Sequence, residues 1–359
     1  MQVRNISLLN FKNHPERQFE LSRQINCFVG DNGAGKTNVL DALHYLSVGK
    51  SFLGTSDTQN ITRGSEYFTI QALIEEEERE HLLNVHQAQD GKKHIRKNGK
   101  LYTRISEHIG FLPSVMISPY DSNLISDSGE SRRRFMDGMI SQVDSQYLHD
   151  LIQYQKILKQ RNALLKYFQR NRTFQLESLE IYDEPWARLA ANIFQVRRDF
   201  IQTITPIVQY YYSVLSLGKE KIAMEYHSHL HDTDPMHLLR NNLEKDRMLS
   251  YTGQGIHKDD LWFGLDGYPL KKSGSQGQQK SFLIALKLAQ TEHLTKHAGK
   301  KPILLLDDIF DKLDESRVTQ LIQLVNAQDF GQMFITDTHK ERTENIVKRI
   351  NEESKVFEI

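Results

Sequence analysis

Near the start of the chain, Gly30-Asp31-Asn32-Gly33-Ala34-Gly35-Lys36-Thr37 fits G-x-x-x-x-G-K-[ST], and no other segment restricts the fold as much. The setting gives the match its meaning. Gln24–Val29 reads as a strand, and Val39, Ala42, Leu43 and Leu46 follow at i, i+3, i+4 and i+7, the spacing of a buried helix face. Strand, glycine loop and helix in that order force a βα unit. The glycines let backbone N–H groups close around phosphate oxygens at the positive end of the helix. Lys36 can then reach β- and γ-phosphates, and the Thr37 hydroxyl can ligate Mg²⁺. The implied ligand is ATP with Mg²⁺, cradled by Gly30, Asp31, Asn32, Gly33, Ala34, Gly35, Lys36 and Thr37.

A phosphate loop needs carboxylates opposite it, and these stand far along the chain. Pro302 leads into Ile303-Leu304-Leu305-Leu306-Asp307-Asp308, a buried strand ending in two acids. Asp307 is placed to hold Mg²⁺, directly or through water. Asp308 stands where a base orients the attacking water. Between the two halves lies Ser273-Gly274-Ser275-Gln276-Gly277-Gln278-Gln279-Lys280. Phe282, Ala285, Leu286 and Ala289 follow it at helix spacing, so this polar segment is expected to cap a helix.

Composition narrows the setting. At 359 residues the chain holds one large domain or two ordinary ones, and 38% hydrophobic with 26% charged residues is ordinary for a soluble protein. The longest purely aliphatic run, Ile303–Leu306, is too short to span a bilayer. A single cysteine, Cys27, excludes an internal disulfide and a cysteine zinc site. A cytoplasmic location is expected, with no membrane association. Basic and acidic residues balance at 46 each, so contact with nucleic acid has to come from local patches. Two stretches without acids supply them. Gly91–Ser106 carries Lys92, Lys93, Arg96, Lys97, Lys100 and Arg104; Leu151–Leu176 carries Lys156, Lys159, Arg161, Lys166, Arg170 and Arg172. Solvated faces are the plain alternative for both. The acidic run Glu75–Glu80 reads as a strand end or turn.

Organisation follows from pattern. Val3–Phe11 and Phe68–Ile74 read as strands, and Lys93–Tyr102 as a hairpin turning on Asn98-Gly99. From Asp144 to Ser216 the pattern is helical, with Asp183 and Pro185 as start signals for a helix that Pro206 should kink or divide. Strand signals resume after Ser250. The expected fold is α/β, a P-loop ATPase head formed by 1–124 and 247–359, interrupted by a helical arm domain at 125–246.

Motifs in this order resemble the ABC-type and SMC-like ATPases, and most closely the RecF family of recombinational repair proteins. The resemblance runs through Leu8-Leu9-Asn10-Phe11-Lys12-Asn13, the P-loop to Ser51-Phe52, Arg132-Arg133-Arg134-Phe135-Met136-Asp137, and Gly255-Ile256-His257-Lys258-Asp259-Asp260-Leu261. Its most specific part runs from Ser275-Gln276-Gly277-Gln278-Gln279-Lys280 to Asp307-Asp308. By resemblance, Asp307-Asp308 is the Walker B pair, with Asp308 and Lys36 catalytic and Thr37 and Asp307 on the metal. Ser275, Gln276, Gly277 and Gln278 are the signature that reaches the γ-phosphate of a second subunit. Phe310-Asp311-Lys312-Leu313-Asp314 resembles the D-loop, and His339 the switch histidine. Departures are Ile256 and Lys258 where the family has Pro and Arg, Leu53 where Arg follows Ser-Phe, and Ser118-Pro119-Tyr120-Asp121 where a Q-loop glutamine is expected.

The resemblance implies a homodimer that sandwiches two ATP molecules and binds DNA near single-strand/double-strand junctions. It also implies a weak, DNA-stimulated ATPase that helps load recombinase with RecO- and RecR-like partners in DNA repair, replication and the SOS response to damage. The alternatives are an ATPase subunit of a DNA-processing nuclease complex, which the absence of a long coiled coil opposes, and the nucleotide-binding subunit of a transporter. DNA-stimulated hydrolysis separates the transporter from the DNA-binding reading. A small-molecule kinase has no use for the Ser275 segment.

Overall fold

The computed structural model describes residues 1–308, 331–350 and 353–359. They form two compact units, Met1–Asp121 with Lys287–Ile359, and Ser122–Leu286. The second boundary falls after Leu286, where the sequence reading puts it after Asp246. The source is strand pairing: β9 (Ile222–His227) and β10 (Asp260–Leu265) form one antiparallel ladder, so the residues beyond 246 belong to the unit that the helices begin.

Two sheets and a helix make the first unit. β1 (Gln2–Phe11), β2 (His14–Glu20), β4 (Tyr67–Glu76), β5 (Arg79–Ala88), β6 (Lys93–Lys97) and β7 (Lys100–Leu101) form an antiparallel sheet in the order β2-β1-β4-β5-β6-β7. β4 alternates buried and less buried residues, as a sheet with one covered face requires. The acidic run lies at the β4–β5 turn, with Glu77 at φ 55°. Asn98 and Gly99 turn β6 into β7 at φ 52° and 79°, the left-handed pair that a type I′ hairpin demands.

The second sheet is parallel throughout: β3 (Ile25–Val29), β8 (Ser114–Ile117), β12 (Ile303–Leu306), β13 (Met333–Asp337) and β14 (Lys355–Glu358), in the order β14-β3-β13-β12-β8. β3, β12 and β13 are buried at every position, the continuous burial expected of a parallel sheet covered on both faces. Helix α1 (Lys36–Val48) touches strands of both sheets. Leu40 and Tyr45 are therefore buried along with Val39, Ala42, Leu43 and Leu46. The helix is enclosed nearly all round, and only part of that shows as periodicity.

The second unit is built on α4 (Ser145–Asn171) and α5 (Leu176–Ser216), packed against each other. Helix α3 (Gly129–Ile140) lies on β10, and α6 (Pro235–Leu249) packs against both long helices. Its sheet runs in the order β11-β10-β9, with β11 the short strand Tyr268–Pro269. Short helices α2 (Asn123–Ser126) and α7 (Leu270–Ser273) precede α8 (Gln276–Ala298). α5 begins at Leu176, ahead of the expected start, and runs through Pro185 and Pro206 without dividing. The carbonyls these prolines leave without an N–H belong to Ile181 and Gln202, both exposed residues, so water can serve them. Asp183, read as a start signal, is instead an interior ion-pair partner. Among the described residues, no helix is long and apolar enough to cross a membrane.

Candidate nucleotide site

Because the second sheet is parallel, the segments after its strands share one edge, where ligands of such sheets bind. The P-loop follows β3, Ser118–Asp121 follows β8, Asp307-Asp308 follows β12, and His339 follows β13. Gly30, Gly33 and Gly35 hold φ of 155°, 86° and 113°. At Gly35 the need for glycine is steric: a Cβ would meet the side chains of Asn13 and His14 at 2.5 and 2.7 Å. Those side chains brace the loop. Asn13 Nδ2 donates to the Ala34 carbonyl (2.9 Å), and Asn38 Nδ2 donates to Asn13 Oδ1 (2.7 Å). His14 Nε2 lies 3.0 Å from the Gly35 carbonyl, and burial pushes its pKa down. Lys36 is 5% exposed and donates to the carbonyls of Gly30 (2.8 Å) and Asp31 (2.9 Å).

The two distant motifs meet here. Thr37 Oγ1 donates to Asp307 Oδ1 at 2.8 Å. Thr336, at the end of β13, donates to the same oxygen at 2.8 Å and accepts the Asp308 N–H at 3.0 Å. One hydroxyl thus fixes both acids, and Asp308 sits at φ 48° immediately beyond the strand. Burial raises the pKa of Asp307, against the pull of its Thr37 and Thr336 hydrogen bonds. A buried carboxylate beside a hydroxyl is a hard oxygen pair that a divalent cation would relieve. Mg²⁺ suits it, since it takes one or two protein ligands and completes its shell with phosphate and water. Among the described residues, no group of three or more His, Cys, Asp or Glu able to hold a metal occurs.

In the second unit, the Ser275 segment opens α8 with a reciprocal cap. Ser275 Oγ accepts the Gln278 N–H (3.3 Å), and Gln278 Oε1 accepts the Ser275 N–H (2.7 Å). Ser275 and Gln276 are exposed, Gly277 and Gln278 partly so. His339 is exposed at the start of α9 (Lys340–Ile350), where its carbonyl accepts from Thr343. The D-loop residues Asp311 and Asp314 lie outside the described residues. At the position expected for a Q-loop, Asp121 is buried, accepts the Ser118 N–H (2.7 Å) and pairs with Lys287 (2.7 Å).

The model of the RecF/RecN/SMC N-terminal domain family matches residues 2–357. A protein of Flavobacterium johnsoniae named DNA replication and repair protein RecF is 51% identical over the whole of both chains. The chain belongs to the RecF family. A RecF of Phocaeicola vulgatus is 45% identical, covering 100% of this chain and 96% of its own. A solved structure described as the recombination mediator protein RecF with ATP in the RecFOR pathway is 29% identical, with TM-score 0.88, covering 94% of this chain and 92% of that one. The Smc head domain of Pyrococcus furiosus, at 17% identity and TM-score 0.54 over 96% and 91% of the two chains, shares the fold.

Within this RecF-family chain, two of the landmark motifs prove to be one structure. Arg132 grips Asp260 through both Nε (2.6 Å) and Nη2 (2.9 Å), and Arg133 donates to the Asp259 carbonyl. Buried Arg197 bridges them, donating to Asp137 (3.0 Å), Asp259 (2.9 Å) and the Ile256 carbonyl (2.8 Å). Gly255 is required at φ 128°, since a Cβ would lie 2.5 Å from Trp186. Lys258, in place of the family's Arg, is exposed with its Nζ 5.7 Å from the Tyr251 ring.

One expected surface residue needs correction. Arg161 is 0% exposed and cannot reach nucleic acid. Its guanidinium is held by Asp183 (2.7 Å), Asp246 (2.7 Å) and Thr252 (2.8 Å), joining α4, α5 and α6. Lys156 and Lys159 are exposed on α4. On the hairpin, Lys92 is exposed and pairs with Asp90, and Arg96 is exposed. Lys93 is tied to Asp57 (2.6 Å) and the Gly49 carbonyl (2.8 Å), and Lys97 covers the Phe111 ring at 3.6 Å. Two helpers of the site escape the motif reading. Thr336 is the penultimate residue of β13, and nothing in the sequence of that strand marks it. Asp41 shows only as a polar residue on α1, yet its carboxylate accepts from Lys12, Ser51 (2.7 Å) and the Phe52 N–H (2.6 Å), joining two quoted motifs.

Proposed function

We propose that this chain is an ATP-dependent DNA-binding protein of recombinational repair and replication restart, acting in the cytoplasm. Two copies sandwich two ATP molecules, each bound by one P-loop and by the Ser275 segment of the other copy. The dimer binds DNA near single-strand/double-strand junctions and promotes recombinase loading with RecO- and RecR-like partners. The single observation that carries the reading is the Thr37–Asp307 hydrogen bond at 2.8 Å, which brings the phosphate loop and the Asp307-Asp308 pair into one site.

The residues divide the work by chemistry. The P-loop amides and Lys36 bind and orient the phosphates. Thr37 and Asp307 would hold Mg²⁺, which supplies charge neutralisation between phosphate oxygens when bound. Asp308 orients and deprotonates the attacking water, with weak, DNA-stimulated hydrolysis as the reset of the switch. Asp is one methylene shorter than the Glu common at this position in the ATPases that the motifs resemble, so the attacking water is held less closely and the reset is slow. The switch role of His339 and the D-loop role of Asp311 and Asp314 belong to the same proposal. DNA is met by exposed cations, Lys156, Lys159, Lys166 and Arg170 on α4 and Lys92, Arg96 and Lys100 on the hairpin.

Ser275→Arg tests the composite site. Ser275 is exposed, so the substitution spares the fold while placing bulk and charge in the shared interface. ATP binding by the monomer should be retained and ATP-driven dimerisation lost in sedimentation. A normal ATP-dependent dimer would sink the composite-site reading.

A further inference from the structure

The carboxamide of Gln278 has two ends, and both are used. Its Oε1 accepts the Ser275 N–H at 2.7 Å, completing the cap of α8. Its Nε2 donates to Glu220 Oε1 at 2.7 Å. The other oxygen of Glu220 accepts the hydroxyl of Tyr212 at 2.5 Å, and Tyr212 is buried in the last turns of α5. Leu217 and Gly218 end that helix at φ 56° and 70°, turning the chain so that Glu220 returns alongside Tyr212. Every member of this chain of contacts lies in the second unit.

The order of donors and acceptors makes the contact selective. A glutamine amide can be rotated to exchange its oxygen and nitrogen, and the rotated form would set an NH₂ against the Ser275 N–H. Glu220, when ionised, accepts only. It therefore admits the nitrogen of Gln278 and leaves the oxygen to Ser275. A hydrogen bond to a charged acceptor is also roughly twice as strong as a neutral one.

We infer that Glu220 is a positioning residue for the signature segment: it selects the amide orientation of Gln278 that caps Ser275, and Tyr212 ties that choice to the end of the 41-residue helix α5. The inference deepens the proposed function and rests on it in one respect, that the Ser275 segment faces the nucleotide of a partner copy. Movement of α5 would then reach the segment through one carboxylate.

The test reads the cap and the dimer separately, in the full chain. Amide hydrogen exchange at Ser275–Gln279 is followed without ATP, and the ATP concentration for half-dimerisation is taken from sedimentation. Glu220→Ala should speed exchange there about tenfold, the loss of one charge-assisted hydrogen bond, and raise the ATP requirement by a similar factor. Gln278→Glu should do the same by facing two carboxylates, although a Ser-x-x-Glu cap is formally intact. Glu220→Gln combined with Gln278→Glu restores a donor opposite an acceptor and should reverse both effects, which a loss of bulk or a merely structural role would not do. Unchanged exchange in Glu220→Ala, or no rescue by the double variant, overturns the inference. Faster exchange that the double variant reverses, with dimerisation unmoved throughout, supports the positioning contact and overturns the partner-facing role of the segment.

Discussion

Lys36 rests its ammonium on two carbonyl oxygens in a nearly buried position. Phosphate oxygens compete well for such a cation, since charge-assisted hydrogen bonds contribute about 1.5–3 kcal/mol each. Lys36→Met keeps the length and apolar bulk of the stem and removes the charge. ATP affinity, measured by titration of the folded variant, should fall at least ~10-fold; wild-type affinity would falsify the P-loop assignment. His44 supplies a different test at this scale. Burial is the main cause of its pKa falling from 6.5 to about 4, with Asp41 opposing. Between those values the unfolded chain binds a proton that the folded one does not, so stability rises with pH across the window and levels off above it. His257 and His293 are also lowered to about 4, again chiefly by burial. The thermal midpoint should therefore drop as pH is taken from above 6.5 towards 4, and His44→Gln should flatten the slope. An identical slope in the variant would contradict a neutral, partly buried His44. Which residues come together was legible where a motif fixes spacing, as at Lys36, Thr37 and Asp307. It was not legible at Thr336 or Asp41, whose partners come from segments remote in sequence.

Helix α4 shows how one element carries two meanings. Tyr154, Leu158, Arg161, Leu165 and Phe168 step by four and three along one face, and all but the partly buried Leu158 are buried. The spacing that marks the leucines as core marks Arg161 too, but charge alone made it look like surface. Lys156, Lys159, Lys166 and Arg170 lie on another face and are exposed. Reversing Lys156 and Lys159 to Glu should weaken DNA binding and flatten its salt dependence, by roughly 0.9 in log–log slope for each duplex phosphate no longer neutralised. Retained affinity with an unchanged slope would make this face merely solvated. Arg161→Ala should instead destabilise the second unit by about 3–5 kcal/mol in denaturant unfolding, because Asp183 and Asp246 lose their shared cation. Loss of DNA binding without loss of stability would reverse that assignment. In α5, Asp183 and Pro185 have the composition of a helix start and occupy its interior. Local chemistry could not reveal this, since the Asp183 carboxylate is claimed by an arginine 22 residues earlier.

For the whole molecule, the joining of the two ends of the chain in one unit was legible because β3 and β12 each announce themselves as buried runs followed by a motif, the P-loop and Asp307-Asp308. The extent of the second unit was not, since β9–β10 pairing across residues 222–265 leaves no local mark. In the proposed cycle, ATP closes a DNA-holding dimer and hydrolysis opens it. Asp308→Asn isolates it: Thr37 and Asp307 remain to hold Mg²⁺·ATP, and the group assigned to the attacking water is lost. The direct measurement is single-turnover ATP hydrolysis and the DNA dissociation rate of this variant, taken together on gapped duplex. Loss of a general base typically costs ~10²–10⁴-fold in rate, and a slow wild type would put the loss near the lower end. An ATP-bound dimer should accumulate on DNA, with dissociation slowed roughly as much as hydrolysis. Slow hydrolysis with an unchanged dissociation rate would show that cleavage does not open the dimer, and unchanged hydrolysis would remove Asp308 from its role.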